Sequence, residues 1–152
     1  MFKFKKMWKN HPINSGETNP CSKISGEPNF ENQCAIRMGV CLSKSGFPLE
    51  DYEGVRCWHH SSQMNHTLRV EELVRFLNQT LPKESLITVR AKPNYPINAD
   101  KFAGKTGIVA FINFWGRCNQ GDHIDLWDGE ELLDGSIDYF ERSEKVYFWE
   151  VN

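Results

Sequence analysis

Three residues of this chain have the types that acyl transfer uses: Cys34, His123 and Asp134. A thiolate is the nucleophile, an imidazole moves the proton, and a carboxylate beside the imidazole fixes its tautomer and stabilises its charged form. Residue types alone carry little weight. What decides the matter is whether the surrounding sequence would hold each group in place.

The stretch ENQCAIRMGVCLSKSGFP, residues 31–48, sets Cys34, Met38, Cys41 and Leu42 at i, i+4, i+7 and i+8. That spacing is one apolar stripe of a short helix, which Gly46 and Pro48 end. Asn32 or Gln33 falls at the N-cap and Cys34 in the first turn, where the helix dipole and unbonded N–H groups favour a thiolate. From the helix alone two readings stand open: a nucleophile, or a small buried hydrophobe like Cys41.

The histidine lies in GDHIDLWDGEELLD, residues 121–134. HIDLW reads as a strand, and Asp128-Gly129 as a two-residue type I′ hairpin loop. Trp127 then faces Glu130, and His123 faces Asp134 with Cβ atoms about 4.5–5.5 Å apart. This register makes Asp134 the orienting acid. Asp125 is its rival, on the same face about 6.6 Å along the strand, whereas Asp122 points to the other face. A three-residue loop would slip the register and carry Asp134 away. The competing reading is a surface histidine beside an acidic hairpin.

The remaining elements are coarse. Residues 10–30, rich in Asn, Pro, Gly and Ser, lead irregularly to the Cys34 helix. TLRVEELVRFLNQTL places Val70, Leu73, Val74 and Leu77 on one helical face, with Thr67 as an N-cap candidate. KPNYPINADKFAGKTG is a loop with one turn of helix, GIVAFINFW (107–115) a central strand, and KVYFWEV (145–151) the last strand. The fold class is α+β: N-terminal helices packed on an antiparallel sheet, in one domain spanning 1–152.

Composition narrows the function. Eighteen basic and twenty acidic residues give a net charge of −2, which argues against a dedicated nucleic-acid binder. The start, MFKFKKMWKNHPIN, is basic but lacks the apolar core and cleavage site of a signal peptide, and no run is long enough for membrane insertion. Synthesis in the cytoplasm without a signal peptide is the expectation. Five cysteines, at 21, 34, 41, 57 and 118, form no CxxC and leave one over, and pairing among Cys21, Cys41, Cys57 and Cys118 depends on distances a sequence does not contain. RCWHHSSQMNH offers Cys57, His59, His60 and His66, ligand types that suit zinc, in a spacing that fits neither a CxxC knuckle nor HExxH. The expectation there is a polar loop, with no metal and no cofactor.

A cysteine opening an early helix, a later strand histidine and an acid opposite it form the order of papain-like cysteine peptidases. NQCAIRMG with SGFP, RVEELVRFL, GIVAFINFW with GDHIDLWDG, and the closing KVYFWEV together resemble the fourth family of type VI secretion amidase effectors, over roughly residues 30–151. The resemblance implies a papain-like fold related to NlpC-type and CHAP-type peptidases. It matches Cys34 to the nucleophile, His123 to the base and Asp134 to the acid. Residues 1–29 and the Cys/His-rich loop at 57–66 depart from the pattern.

The same resemblance implies peptidoglycan peptide stems as substrate, cut between D-glutamate and the diamino acid. It implies delivery by a type VI secretion apparatus into a neighbour's periplasm, and a periplasmic immunity protein in the producer. On that mechanism the oxyanion is held by the Cys34 backbone N–H plus a side-chain donor, Gln33 or Asn32, either of which can instead cap the helix. Arg37 would meet a substrate carboxylate or make a structural ion pair. Trp115 and Trp127 would shelve a substrate or pack in the core. Two other classes stay open: a non-enzymatic, metal-dependent binding protein, and a Cys-His-Asp acyltransferase.

Overall fold

The protein is described here by a computed structural model covering residues 3–59, 65–114 and 121–152. It divides into two compact units, Met1–Phe76 and Leu77–Asn152.

The first unit is built on α1 (Phe4–Asn10) and α2 (Cys34–Lys44), with the start of α3 (Val70–Thr80). As the spacing predicts, α2 begins at Cys34 and buries Cys34, Met38, Cys41 and Leu42, but Ala35, Ile36, Gly39 and Val40 are buried too. The helix is therefore enclosed on most sides, and its amphipathic stripe understates its burial. Gly46, at φ 86°, ends it, while Phe47 N–H donates to Leu42 O at 2.9 Å. The basic N-terminus holds an unexpected helix. Its Phe4 and Met7 are buried, Met7 O accepts from Cys41 Sγ at 3.2 Å, and Asn10 Nδ2 donates to Lys44 O at 3.0 Å.

A short antiparallel ribbon crosses α2. Arg56 pairs with Thr67, Cys57 N–H donates to His66 O at 2.9 Å, and Leu68 N–H to Val55 O at 3.2 Å. Thr67 is not the N-cap of α3 but a buried residue of this ribbon, whose Oγ1 donates to Ala35 O at 2.8 Å. The helix starts at Val70, three residues on, and the buried hydroxyl takes the Ala35 carbonyl as the partner a buried donor needs. Gly39 makes the crossing feasible: a Cβ there would lie 2.6 Å from Asn65 O and closer still to Thr67 Oγ1. Along α3, Val70, Leu73, Val74 and Leu77 are buried as the predicted face.

The second unit is an antiparallel four-stranded sheet in the order β1-β4-β2-β3: β1 (Leu86–Arg90), β2 (Gly107–Ile112), β3 (His123–Trp127) and β4 (Lys145–Glu150). β2 is central and buried along all but its last residue, as its unbroken apolar run requires. β1 is an edge strand whose alternation, Ile87 and Val89 against the core with Thr88 and Arg90 exposed, runs over too few residues to stand out in the sequence. Phe102, Phe111, Phe140, Phe148 and Trp127 fill the core, and Phe140 comes from the short helix α4 (Tyr139–Arg142). β3 is the outer strand of this sheet, paired along β2 with Phe111 standing opposite His123. Among the described residues no helix is long and apolar enough to cross a membrane.

Gly39→Ala should destabilise the protein by about 1–2 kcal/mol, because overpacking against Asn65 and Thr67 outweighs the helix propensity gained. Urea unfolding measures this directly. A variant as stable as the parent would show that the ribbon has room to move.

Candidate active site

The strongest arrangement of reactive groups in the second unit is at His123. Its Nε2 lies 2.9 Å from Asp125 Oδ2, with His123 7% exposed and Asp125 fully buried. Asp125 is held by further donors: Leu126 N–H reaches Oδ1 at 2.8 Å, and Asp134 N–H reaches both oxygens at 3.1 Å. A buried carboxylate is tolerable only when its lone pairs are satisfied in this way. With Nε2–H donating to the carboxylate, the imidazole's tautomer and orientation are fixed, and proton transfer falls to Nδ1.

The acid in contact with His123 is thus Asp125 and not Asp134 as the hairpin arithmetic predicts, and the cause is the turn. Asp128 Oδ1 accepts from Glu130 N–H (2.8 Å) and Glu131 N–H (2.7 Å), so Asp128 precedes the turn instead of occupying its centre. Gly129, at φ 102°, and Glu130 become the central residues. Trp127 then pairs with Leu132, and Leu133 N–H donates to Leu126 O at 3.0 Å. The partner of each β3 residue moves along by two, which sets Asp134 against Asp125. Gly135 leaves the carboxylate its space, since a Cβ there would stand 3.1 Å from Asp125 Oδ2 and 2.8 Å from Tyr139 Cε2.

Aromatic rings wall the histidine. Tyr139 meets it edge-on at 5.3 Å between centroids, with Phe111 at 6.2 Å and Phe114 at 6.1 Å. Burial, followed by the charges of Asp134, Asp138 and Asp125, pushes the Tyr139 hydroxyl above its ordinary value and keeps it neutral. Sequence reasoning missed Tyr139 because a four-residue helix has no period to detect. Trp127, offered as a substrate shelf, is instead 2% exposed, and its Nε1 donates to Phe102 O at 2.9 Å. Trp115 lies outside the described residues.

In the first unit, Cys34 is the first residue of α2, and Gln33 stands at the N-cap without capping through its side chain. Asn32 does the capping, for its Oδ1 accepts the Cys34 N–H at 3.1 Å. Gln33 is not an oxyanion donor here. Its Oε1 accepts from Cys21 N–H (3.0 Å), and its Nε2 donates to Cys21 O (2.8 Å) and Phe30 O (3.1 Å), so both N–H groups of a buried amide are spent on the backbone. Arg37 donates through Nε to Thr18 O, bracing the loop that precedes α2. Burial pushes the Cys41 thiol up to about 12, which leaves it protonated and unreactive near neutral pH.

Of the Cys/His loop, Cys57 and His66 come together with Cys21, their candidate ligand atoms all within 4.8 Å of one another. His59 instead sets its ring against Phe30 and Trp58, each at 5.6 Å, while His60 lies outside the described residues.

Comparison with known proteins identifies the chain. The model of a family described as type VI secretion system amidase effector protein 4, Tae4, matches residues 30–149. Comparison with curated proteins gives no match. Among solved structures, Tae4 of Enterobacter cloacae is 23% identical with a TM-score of 0.72, over 100% of this chain and 98% of that one. The effector–immunity complex Tae4–Tai4 of Salmonella Typhimurium is 21% identical with a TM-score of 0.73, over 100% and 99%. The corresponding complex of Enterobacter cloacae is 22% identical with a TM-score of 0.66, again over 100% and 99%. At these identities the structures establish the fold, which is α+β and papain-like. With the family model spanning most of its length, this chain belongs to the Tae4 family of type VI secretion amidase effectors.

Proposed function

We propose that this family member is a cysteine-dependent peptidoglycan amidase acting through Cys34 and His123, within one domain that takes in residues 1–152. The observation that carries the reading is the buried His123–Asp125 pair, a histidine held in one tautomer on a strand edge. Such a pair has a cost that packing alone does not require, since an apolar pair would fill the same space without desolvating a carboxylate.

In this reading the Cys34 thiolate attacks the amide carbonyl, and the His123 imidazolium gives its proton to the leaving amine. Neutral His123 then activates the water that hydrolyses the thioester. Asp125 orients the imidazole. Asp134, the acid named by the resemblance, supports it through the amide that binds the Asp125 carboxylate. Asn32 is exposed, so its side chain can release the Cys34 N–H to the oxyanion, and it is the remaining side-chain donor candidate once Gln33 is spent.

The target bond in this proposal is D-glutamyl–diaminopimelate in the peptide stem. The effector is carried by the type VI apparatus to the periplasm of a neighbouring cell, and a cognate periplasmic immunity protein protects the producer. The Tae4–Tai4 complexes support the last point by likeness.

Digestion of purified peptidoglycan, with fragments identified by mass spectrometry, tests this function. Wild type should release stem-peptide fragments ending at D-glutamate, and folded Cys34→Ala and His123→Ala should release none. Fragment release by Cys34→Ala equal to wild type would end the cysteine mechanism. For Gln33→Ala, the expected loss is of stability, about 1–3 kcal/mol from unsatisfied Cys21 backbone groups, and not of turnover in the molecules that remain folded. Denaturant unfolding beside kcat separates those effects, and an oxyanion role would show as a fall in kcat at unchanged stability.

A further inference from the structure

The amidase reading leaves unused the cluster of Cys21, Cys57 and His66, which lies wholly in the first unit. Backbone geometry builds it. Arg56 pairs with Thr67, so Cys57 and His66 stand directly opposite on the ribbon, the arrangement that puts two side chains on one face. Cys21 is brought to them by the Gln33 amide, which grips its N–H and its carbonyl. All three residues are buried, at 0%, 8% and 2% exposure.

We propose that Cys21, Cys57 and His66 form a zinc site. Two thiolates and an imidazole are a ligand set that zinc takes up, with Zn–S bonds of about 2.3 Å and a fourth position completed by water. The Sγ–Sγ separation is 3.2 Å. A disulfide needs about 2.05 Å, whereas two thiolates on a tetrahedral zinc stand about 3.8 Å apart at those bond lengths, so the observed spacing is nearer the metal-bound one.

Each sulfur also has a hydrogen-bond donor beside it. His59 N–H donates to Cys57 Sγ at 3.3 Å and Asn29 Nδ2 to Cys21 Sγ at 3.5 Å, one donor for each sulfur. Such donors stabilise charge on sulfur, as the outer shell of a metal site does. Asn29 Oδ1, at the other end of that amide, is buried and accepts no hydrogen bond, which makes it a second candidate for the fourth position. Of the three, His66 lines a cavity of about 660 Å³, together with Ser22 next to Cys21.

Binding is balanced in charge and protons. Zn²⁺ displaces the two thiol protons to solvent, neutral His66 donates a lone pair, and two thiolates cancel the dication. The consequence is structural: the metal ties the loop at Cys21, the ribbon at Cys57 and His66, and, through Gln33, the N-terminus of the helix that carries Cys34.

The test uses the full-length protein, reduced and freed of metal, titrated with Co²⁺ as the spectroscopic probe. One equivalent should bind with thiolate-to-cobalt charge-transfer absorption and the intense visible bands of a tetrahedral site, and Zn²⁺ should displace it. Cys21→Ser and Cys57→Ser should each lose most of the charge-transfer intensity, while Cys34→Ala and Cys41→Ala keep it. Because the serine variants can fail to fold, a second measurement uses wild type. Zn²⁺ should protect Cys21 and Cys57 from alkylation, read by peptide mass spectrometry, and leave the labelling of Cys34 unchanged. Absence of a charge-transfer band in reduced wild type would overturn the proposal. So would a band that persists in the Cys21→Ser Cys57→Ser double variant, or a Cys21–Cys57 disulfide whose reduced form binds no cobalt.

Discussion

The interaction on which the second unit depends is the hydrogen bond between His123 and a carboxylate with no exposure to water. Asp125 sits on the same face of β3 as the histidine, two residues along, and strand geometry fixes their proximity. What strand geometry does not provide is compensation for burying the charge. That comes from Leu126 N–H and from Asp134 N–H, which only a return strand in the observed register can deliver. Gly135 belongs to the same solution, because any larger residue would press on the carboxylate and on Tyr139. The turn at Asp128, the register, the glycine and the ring wall around His123 are parts of one arrangement that keeps an imidazole oriented in a nearly dry environment.

The first unit answers a different constraint, the placing of a cysteine on the first turn of a helix that is buried on most sides. The cost of ordering the irregular segment before α2 is offset by a single buried amide, Gln33, which satisfies both backbone groups of Cys21 and also binds Phe30 O. Gly39 lets the 65–67 segment approach the helix backbone, and Thr67 uses that approach to satisfy Ala35 O. Asn32 occupies the Cys34 amide in this state. The surroundings of Cys34 are therefore set by loops, with the helix supplying direction.

Much of this was legible in the residues. The apolar stripe from Cys34 to Leu42 and the face Val70–Leu77 are periodic signals, and each appears where the period puts it, while the unbroken apolar run from Gly107 marks β2, which ends at Ile112. The acid in contact with His123 was harder to read because it depends on one turn. Asp-Gly suits the centre of a two-residue loop, but the Asp128 side chain bonds two amides ahead of it, and that local contact moved the register by two. Asp125 had been visible as a rival, but nothing in the sequence weighs one carboxylate's solvation against another's. Gln33 was misread for a related reason: its partner, Cys21, lies across an aperiodic loop. The helix α1, the edge strand β1 and the helix α4 that carries Tyr139 are too short to leave a pattern.

The central claim is that Asp125 holds His123 for catalysis. It is tested most directly by kcat/KM of Asp125→Asn on soluble peptidoglycan fragments, using protein shown to be folded by circular dichroism. The account predicts a fall of about 10⁴-fold, the size expected when a catalytic imidazole loses the carboxylate that fixes its tautomer. Wild-type kcat/KM in that variant would contradict it.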